Sequence, residues 1–216
     1  RRESGLFVLE GRREIEHCIE AGYRVDSLFV CREIFGDGSL PRCSGGVFEV
    51  TPQIYDKLAY RGGTEGIIAE VESKAMTLDS LENRLFSPEK AGEDGGAKPL
   101  VVVLEAVEKP GNLGAVLRSA DAAGADAVIV CDPLTDIYNP NLIRASIGAV
   151  FTVPVVACSS SEAIFFLKVR GFAILTAQLQ DSSLYYDADM TGPVAIVMGT
   201  ESTGLTPLWR EAASAH

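Results

Sequence analysis

The stretch PLVVVLEAVEKPGNLGAVLRSADAAGADAVIVCDP, residues 99–133, decides how this chain folds. Leu100 to Leu104 is an unbroken apolar run, the pattern of a strand buried on both faces in a parallel sheet covered by helices. Lys109-Pro110-Gly111 cannot continue a strand. Asn112 suits an N-cap, and Leu113, Val116, Leu117 and Ala120 recur at the i, i+3, i+4, i+7 spacing of a helix that Gly124 ends. Ala127 to Cys131 is the next strand. In such a strand-turn-helix-strand unit the turn beyond the first strand is where ligands sit.

At about 100° per residue Arg118 falls opposite the apolar stripe, with Gly114 one turn before it and Ala122 one turn after. On that small-residue patch Arg118 is placed either to meet a phosphate or polarised hydroxyl, or to pair with Asp121 on a solvated face.

The pattern continues downstream. Asn139-Pro140 sets an N-cap with proline at the first helical position, and NLIRASIGAV fills a helix that carries Arg144 one turn before Gly148. Val153 to Val156 is a strand, Ser160 or Ser161 caps a helix through Phe165, Phe166 and Val169, and Ala173 to Ala177 and Val194 to Met198 are further strands. Beyond Met198 the loop GTESTGLT brackets Glu201 between Gly199 and Gly204, and its backbone can approach a ligand closely. It is neither G-x-G-x-x-G nor a phosphate-binding G-x-x-x-x-G-K-[ST] loop.

Upstream, Leu6 to Leu9, Ser27 to Cys31, Val47 to Val50 and Gly66 to Val71 read as strands. Helices at Ile15, Cys18 and Ile19 and after Pro52, with Ile54 and Leu58 apolar, alternate with them. Residues 1–73 are expected to form a small α/β domain, 74–98 a linker with one short helix around Leu78 to Phe86, and 99–216 a larger domain with a mostly parallel sheet.

Composition narrows the function classes. Of 216 residues, 47% are hydrophobic and 23% charged, and no apolar run approaches the roughly 20 residues of a membrane span, so the cytoplasm is the expected compartment. The five cysteines form no C-x-x-C pair and read as reduced core residues. With only two histidines, a Ser-His-Asp triad or a histidine-spaced zinc site has almost no material, and no metal is expected. A net charge of −11 argues against coating nucleic acid by bulk charge. Locally, residues 1–73 hold eight arginines and one lysine, Arg12 and Arg13 among them. They suit phosphate contacts, or ion pairs with Glu14, Glu16 and Glu20 on a solvated face.

Three motifs combine into a resemblance. Asn112-x-Gly114-x-x-x-Arg118, Arg144-Ala145-Ser146-x-Gly148 before Val153-Pro154-Val155, and Gly199-x-Glu201-x-x-Gly204-Leu205 resemble the successive motifs of the SpoU/TrmH family of RNA ribose 2′-O-methyltransferases, in the SPOUT superfamily. The resemblance covers residues 100–209; more loosely, the chain's start is similar to the small substrate-binding domain many members carry in front. It implies methyl transfer from S-adenosylmethionine to a ribose 2′-hydroxyl of rRNA, ahead of tRNA, by a homodimer. It further implies Arg118, Asn112 and Glu201 as catalytic residues, and Gly199, Thr200, Glu201, Gly204 and Leu205 as cofactor-binding. Arg12, Arg13 and Arg144 are the candidate RNA contacts. A catalytically silent RNA-binding or ribosome-associated paralogue of the same fold is the alternative.

The family's last motif, an Asn and a Ser after a Pro-containing strand and followed by a closing helix, would begin just after PLWREAASAH. The expectation is that a longer chain carries it, completes the cofactor pocket and ties the family's trefoil knot.

Overall fold

The computed structural model describes residues 4–60, 65–74, 76–88 and 98–216. A first, four-stranded sheet is built from β1 (Leu6–Glu10), β2 (Val25–Val30), β3 (Gly46–Glu49) and β4 (Ile67–Glu72), in the order β1-β4-β2-β3. β4 runs antiparallel to both neighbours and β2 parallel to β3. Around it lie α1 (Arg12–Glu20), the short α2 (Arg32–Phe35) and α3 (Pro52–Leu58). In α3 it is Tyr55, 1% exposed, that is buried, while Ile54 and Leu58 face outward. The two aliphatic residues do mark one helix face, but the sheet lies against the other.

The second sheet has five strands, all parallel: β5 (Leu100–Glu105), β6 (Ala127–Cys131), β7 (Val155–Cys158), β8 (Ala173–Ala177) and β9 (Val194–Met198), in the order β7-β6-β5-β9-β8. Strand period sorts the β5 side chains into two layers. Val102 and Leu104 pack with Leu113, Leu117 and Ala120 of α5 (Pro110–Ala122) and with Leu142 and Ile143 of α6 (Pro140–Ser146). Val101 and Val103 pack on the opposite side. There they meet Leu81 and Leu85 of α4 (Leu78–Leu85), Ala163 and Leu167 of α8 (Ser160–Val169), and Trp209 of α9 (Pro207–Ala212). The expected linker region thus contributes two leucines to a core.

The two sheets share one apolar cluster. Phe7 of β1 stacks on Tyr138 just before α6, with ring centroids 4.1 Å apart, and Tyr23 lies edge-on to Phe151 of α7 (Ala149–Thr152).

Three local expectations change. The helix expected across NLIRASIGAV breaks at Ile147 and Gly148, both in the left-handed region (φ 51° and 89°), and restarts as α7. Ser159, not Ser160 or Ser161, caps α8: it accepts from the Glu162 N–H while Glu162 accepts from the Ser159 N–H, a reciprocal capping box. The N-cap of α5 is Lys109, with Pro110 at the first helical position, where its missing N–H costs nothing and its fixed φ suits a helix. Asn112 lies inside the first turn.

All five cysteines are free thiols, with Cys18, Cys31 and Cys131 buried. Burial pushes the Cys18 thiol up to about 12. No helix of the described residues is long and apolar enough to cross a membrane, and no group of metal-binding side chains occurs among them.

Candidate active site

Chain direction reverses its lateral march between β5 and β9. From β5 the chain steps outward to β6 and β7, then returns to the far edge and inserts β9 beside β5. A crevice beyond the carboxyl ends of two such strands is the ligand position expected of open α/β sheets. Here it is a cleft of about 470 Å³ floored by Leu104 and Met198, with Asn112 on one wall and Gly199, Thr200 and Glu201 on the other.

The walls are joined. Asn112 Nδ2 donates to Glu201 Oε1 at 2.6 Å, and Lys109 Nζ donates to Glu201 Oε2 at 2.8 Å. Since Pro110 rather than Asn112 opens α5, the Asn112 amide is released from capping and reaches across to the loop. The Lys109 hydrogen bond, then that of Asn112, then the lysine charge lower the Glu201 pKa from its ordinary value. The same contact raises that of Lys109. Both side chains are more than two-thirds exposed, so water screens the pair and its weight lies in geometry rather than in stability.

Residues 199–205 fold back on themselves. Thr200 and Gly204 exchange both backbone hydrogen bonds, at 3.2 and 3.1 Å, and Thr200 Oγ1 accepts from the Thr203 N–H at 3.0 Å. Gly204 holds φ 68°, and a Cβ on Gly199 would overlap the Gly204 carbonyl group, so both glycines are required by this turn.

Not all expected residues meet here. Gly204 is exposed outside the cleft lining and Leu205, 3% exposed, belongs to the core beneath it. Conversely Lys109 and Ser202 line the cleft, and the sequence reading assigned neither to the site. The spacing Lys109 to Asn112, one helical turn, was the available signal for the lysine.

Arg118 is exposed and outside the cleft lining. Among the described residues it makes no ion pair, and the expected pair with Asp121 does not form: the Asp121 carboxylate accepts instead from Thr152 Oγ1 at 3.3 Å. The small-residue patch beside it is likewise taken. A Cβ on Gly114 would stand 2.6 Å from that of Ala145, so Gly114 is the point at which α5 and α6 cross closely. Arg118 emerges between this crossing and the Asp121–Thr152 contact.

Of the arginines expected at RNA, Arg12 opens α1 and is tied to Glu16 at 2.8 Å, which raises its pKa. Arg13 is exposed and, among the described residues, without an ion-pair partner, and Arg144 is exposed in the last turn of α6.

The fold agrees with that of known proteins. The SpoU rRNA Methylase family description matches residues 99–216, and that of the MRM3-like substrate binding domain matches residues 1–69. A 23S rRNA (guanosine-2′-O-)-methyltransferase RlmB of Vibrio parahaemolyticus is 33% identical over 94% of this chain and 77% of its own. The Pseudomonas putida protein of that name is 34% identical over 69% of this chain, which spans only 58% of its length. A solved RNA 2′-O ribose methyltransferase, 34% identical, matches with a TM-score of 0.74 over all of this chain and 79% of its own. The SpoU methyltransferase AviRb of Streptomyces viridochromogenes, solved with the cofactor AdoMet, is 26% identical with a TM-score of 0.79 over all of this chain and 81% of its own. This chain therefore belongs to the SpoU rRNA methylase family.

Proposed function

We propose that this chain transfers a methyl group from S-adenosylmethionine to a ribose 2′-hydroxyl of rRNA. The observation that carries the proposal is the Asn112–Glu201 hydrogen bond, which joins two of the three family motifs across a cleft at the carboxyl ends of β5 and β9. The cleft fits such a cofactor. Its volume lies within the roughly 300–1,000 Å³ of small-molecule sites, and Gly199 leaves backbone rather than side chain at the wall. When bound, the sulfonium supplies an activated methyl group.

Gly199, Thr200 and Glu201 form one wall for it, with Gly204 and Leu205 fixing the shape of that wall from outside. Asn112 and Glu201 hold each other and orient the ribose. Arg118 carries no lone pair and cannot accept a proton as free guanidinium; it acts by holding the neighbouring phosphate or favouring ionisation of the 2′-hydroxyl. Alignment of oxygen and methyl carbon supplies much of the rate.

On the same reading residues 1–73 select the RNA through Arg12 and Arg13, 74–98 connect, and 99–216 perform the transfer, with Arg144 at the RNA. A cytoplasmic homodimer fits the family, and its trefoil knot is expected where a closing segment follows. Incubation with labelled cofactor and rRNA, followed by alkaline digestion, tests the proposal. A 2′-O-methyl blocks attack on the adjacent phosphate, so label in an alkali-resistant dinucleotide is the expected result, and label in mononucleotides or none at all overturns it.

A further inference from the structure

We infer, on the methyltransferase reading of loop 199–205, that Glu105 is a positioning residue for that loop. Its buried carboxylate holds Thr206, and through Thr206 the wall that faces the cofactor. Glu105 is the last residue of β5 and 3% exposed. Its Oε2 accepts from the Thr206 N–H at 2.8 Å and its Oε1 from Thr206 Oγ1 at 2.6 Å, a contact across 101 positions of sequence. Ser160 Oγ, which donates to Asp132 Oδ2 at 2.6 Å, lies 3.5 Å from Oε1 and accepts from Trp209 Nε1 at 3.0 Å.

The loop is therefore clamped at both ends by consecutive residues of one strand. Leu104 pairs with Met198 just before the loop, and Glu105 holds Thr206 just after it. β5 then leads through 106–109 to Asn112, so a single strand sets the spacing of both cleft walls. A buried carboxylate costs free energy unless its oxygens are bonded, and an apolar side chain of similar volume would stabilise the core as well or better. What the carboxylate adds is a fixed direction: two acceptors aimed at one residue of the returning loop. Thr206 is the N-cap residue of α9, yet its hydroxyl is committed to Glu105 rather than to the first turn of that helix.

The test compares the parent with Glu105→Gln, Thr206→Val and Thr206→Ser in cofactor titration calorimetry and steady-state methyl transfer. Glu105→Gln presents an amide N–H where one donor now points, and Thr206→Val removes only the hydroxyl. Each is expected to weaken cofactor binding and raise its KM about 10- to 100-fold, the range of a hydrogen bond to a charged group. The KM for RNA stays within about twofold of the parent, and Thr206→Ser, which keeps the hydroxyl, restores parent values. Loss of stability alone would lower the number of binding sites per chain and leave the cofactor Kd of the folded fraction unchanged, and that outcome overturns the inference. So does a parent-like Kd in Thr206→Val, the variant that keeps the buried glutamate should Glu105→Gln not fold. Absence of methyl transfer in the parent itself would instead remove the methyltransferase reading.

Discussion

Asn112 Nδ2 lies 2.6 Å from Glu201 Oε1, joining α5 to the loop after β9 across 89 positions of sequence. If the two act as one unit, their effects on methyl transfer are non-additive. Asn112→Ala and Glu201→Ala each reduce kcat/KM, and the double variant is expected to lose little more than the worse single one. Equal and additive losses in a double-mutant cycle would separate their roles.

The ionisation of this pair has a definite sign. The Glu201 pKa is depressed below its ordinary 4.5, so its contribution is present above that value and fades as pH falls through the lower folded one. The Lys109 pKa is raised above 10.5, so its contribution is full below that value and fades as pH rises through the raised folded one. Across neutral pH the contact is constant. In an NMR titration of the carboxyl carbon, Lys109→Met is expected to move the Glu201 midpoint upward; an unmoved midpoint would mean that the ion pair is not populated in solution.

Arg118→Ala is expected to lower methyl transfer by on the order of 10²- to 10⁴-fold, as for a positioned catalytic group, with cofactor affinity nearly intact. The side chain is exposed and has no ion-pair partner among the described residues, so the fold has little to lose. Turnover within a few-fold of the parent removes Arg118 from the mechanism.

Gly114 and Gly111 provide a controlled pair. A Cβ at Gly114 meets the Ala145 Cβ at 2.6 Å and the Leu142 carbonyl oxygen at 2.9 Å, whereas one at Gly111 meets nothing within 4 Å. Gly114→Ala is expected to cost about 1–3 kcal/mol by forcing α5 from α6, and Gly111→Ala to be neutral or slightly stabilising. Denaturant unfolding distinguishes them, and equal midpoints would show that the two helices cross with room to spare.

Reversing Arg13 to Glu is expected to weaken RNA binding and flatten its salt dependence, without changing cofactor affinity. The effect exceeds that of Arg12→Glu, because Arg12 already spends its guanidinium on Glu16. The catalytic half does not substitute for them by bulk charge: residues 97–216 carry seven Lys and Arg against twelve Asp and Glu. Unchanged affinity across several salt concentrations would give the front domain another task.

Sequence by itself determined the strands of the larger sheet. Leu100 to Leu104, Ala127 to Cys131 and Val194 to Met198 are continuous apolar runs of the kind a doubly covered parallel sheet buries, and Ala173 to Ala177, interrupted by Thr176, is the edge strand β8 with alternate residues buried. The loop after β9 was legible for the same local reason, since glycines after a buried strand mark a turn that a ligand can approach, whereas a site role for Asn112 came from the family resemblance. What the chain order could not decide is which distant groups share a carboxylate. Lys109 and Asn112 meet on Glu201, and Thr206 on Glu105, only once β9 is inserted beside β5. Nor could helical periodicity show that the patch beside Arg118 is occupied, because its emptiness on a helical wheel is the very condition for α6 to pack against Gly114. Propensity and pattern act over a few residues, whereas close approach depends on where the backbone places a second element; tertiary packing therefore decided the site's contacts after local sequence had decided its parts.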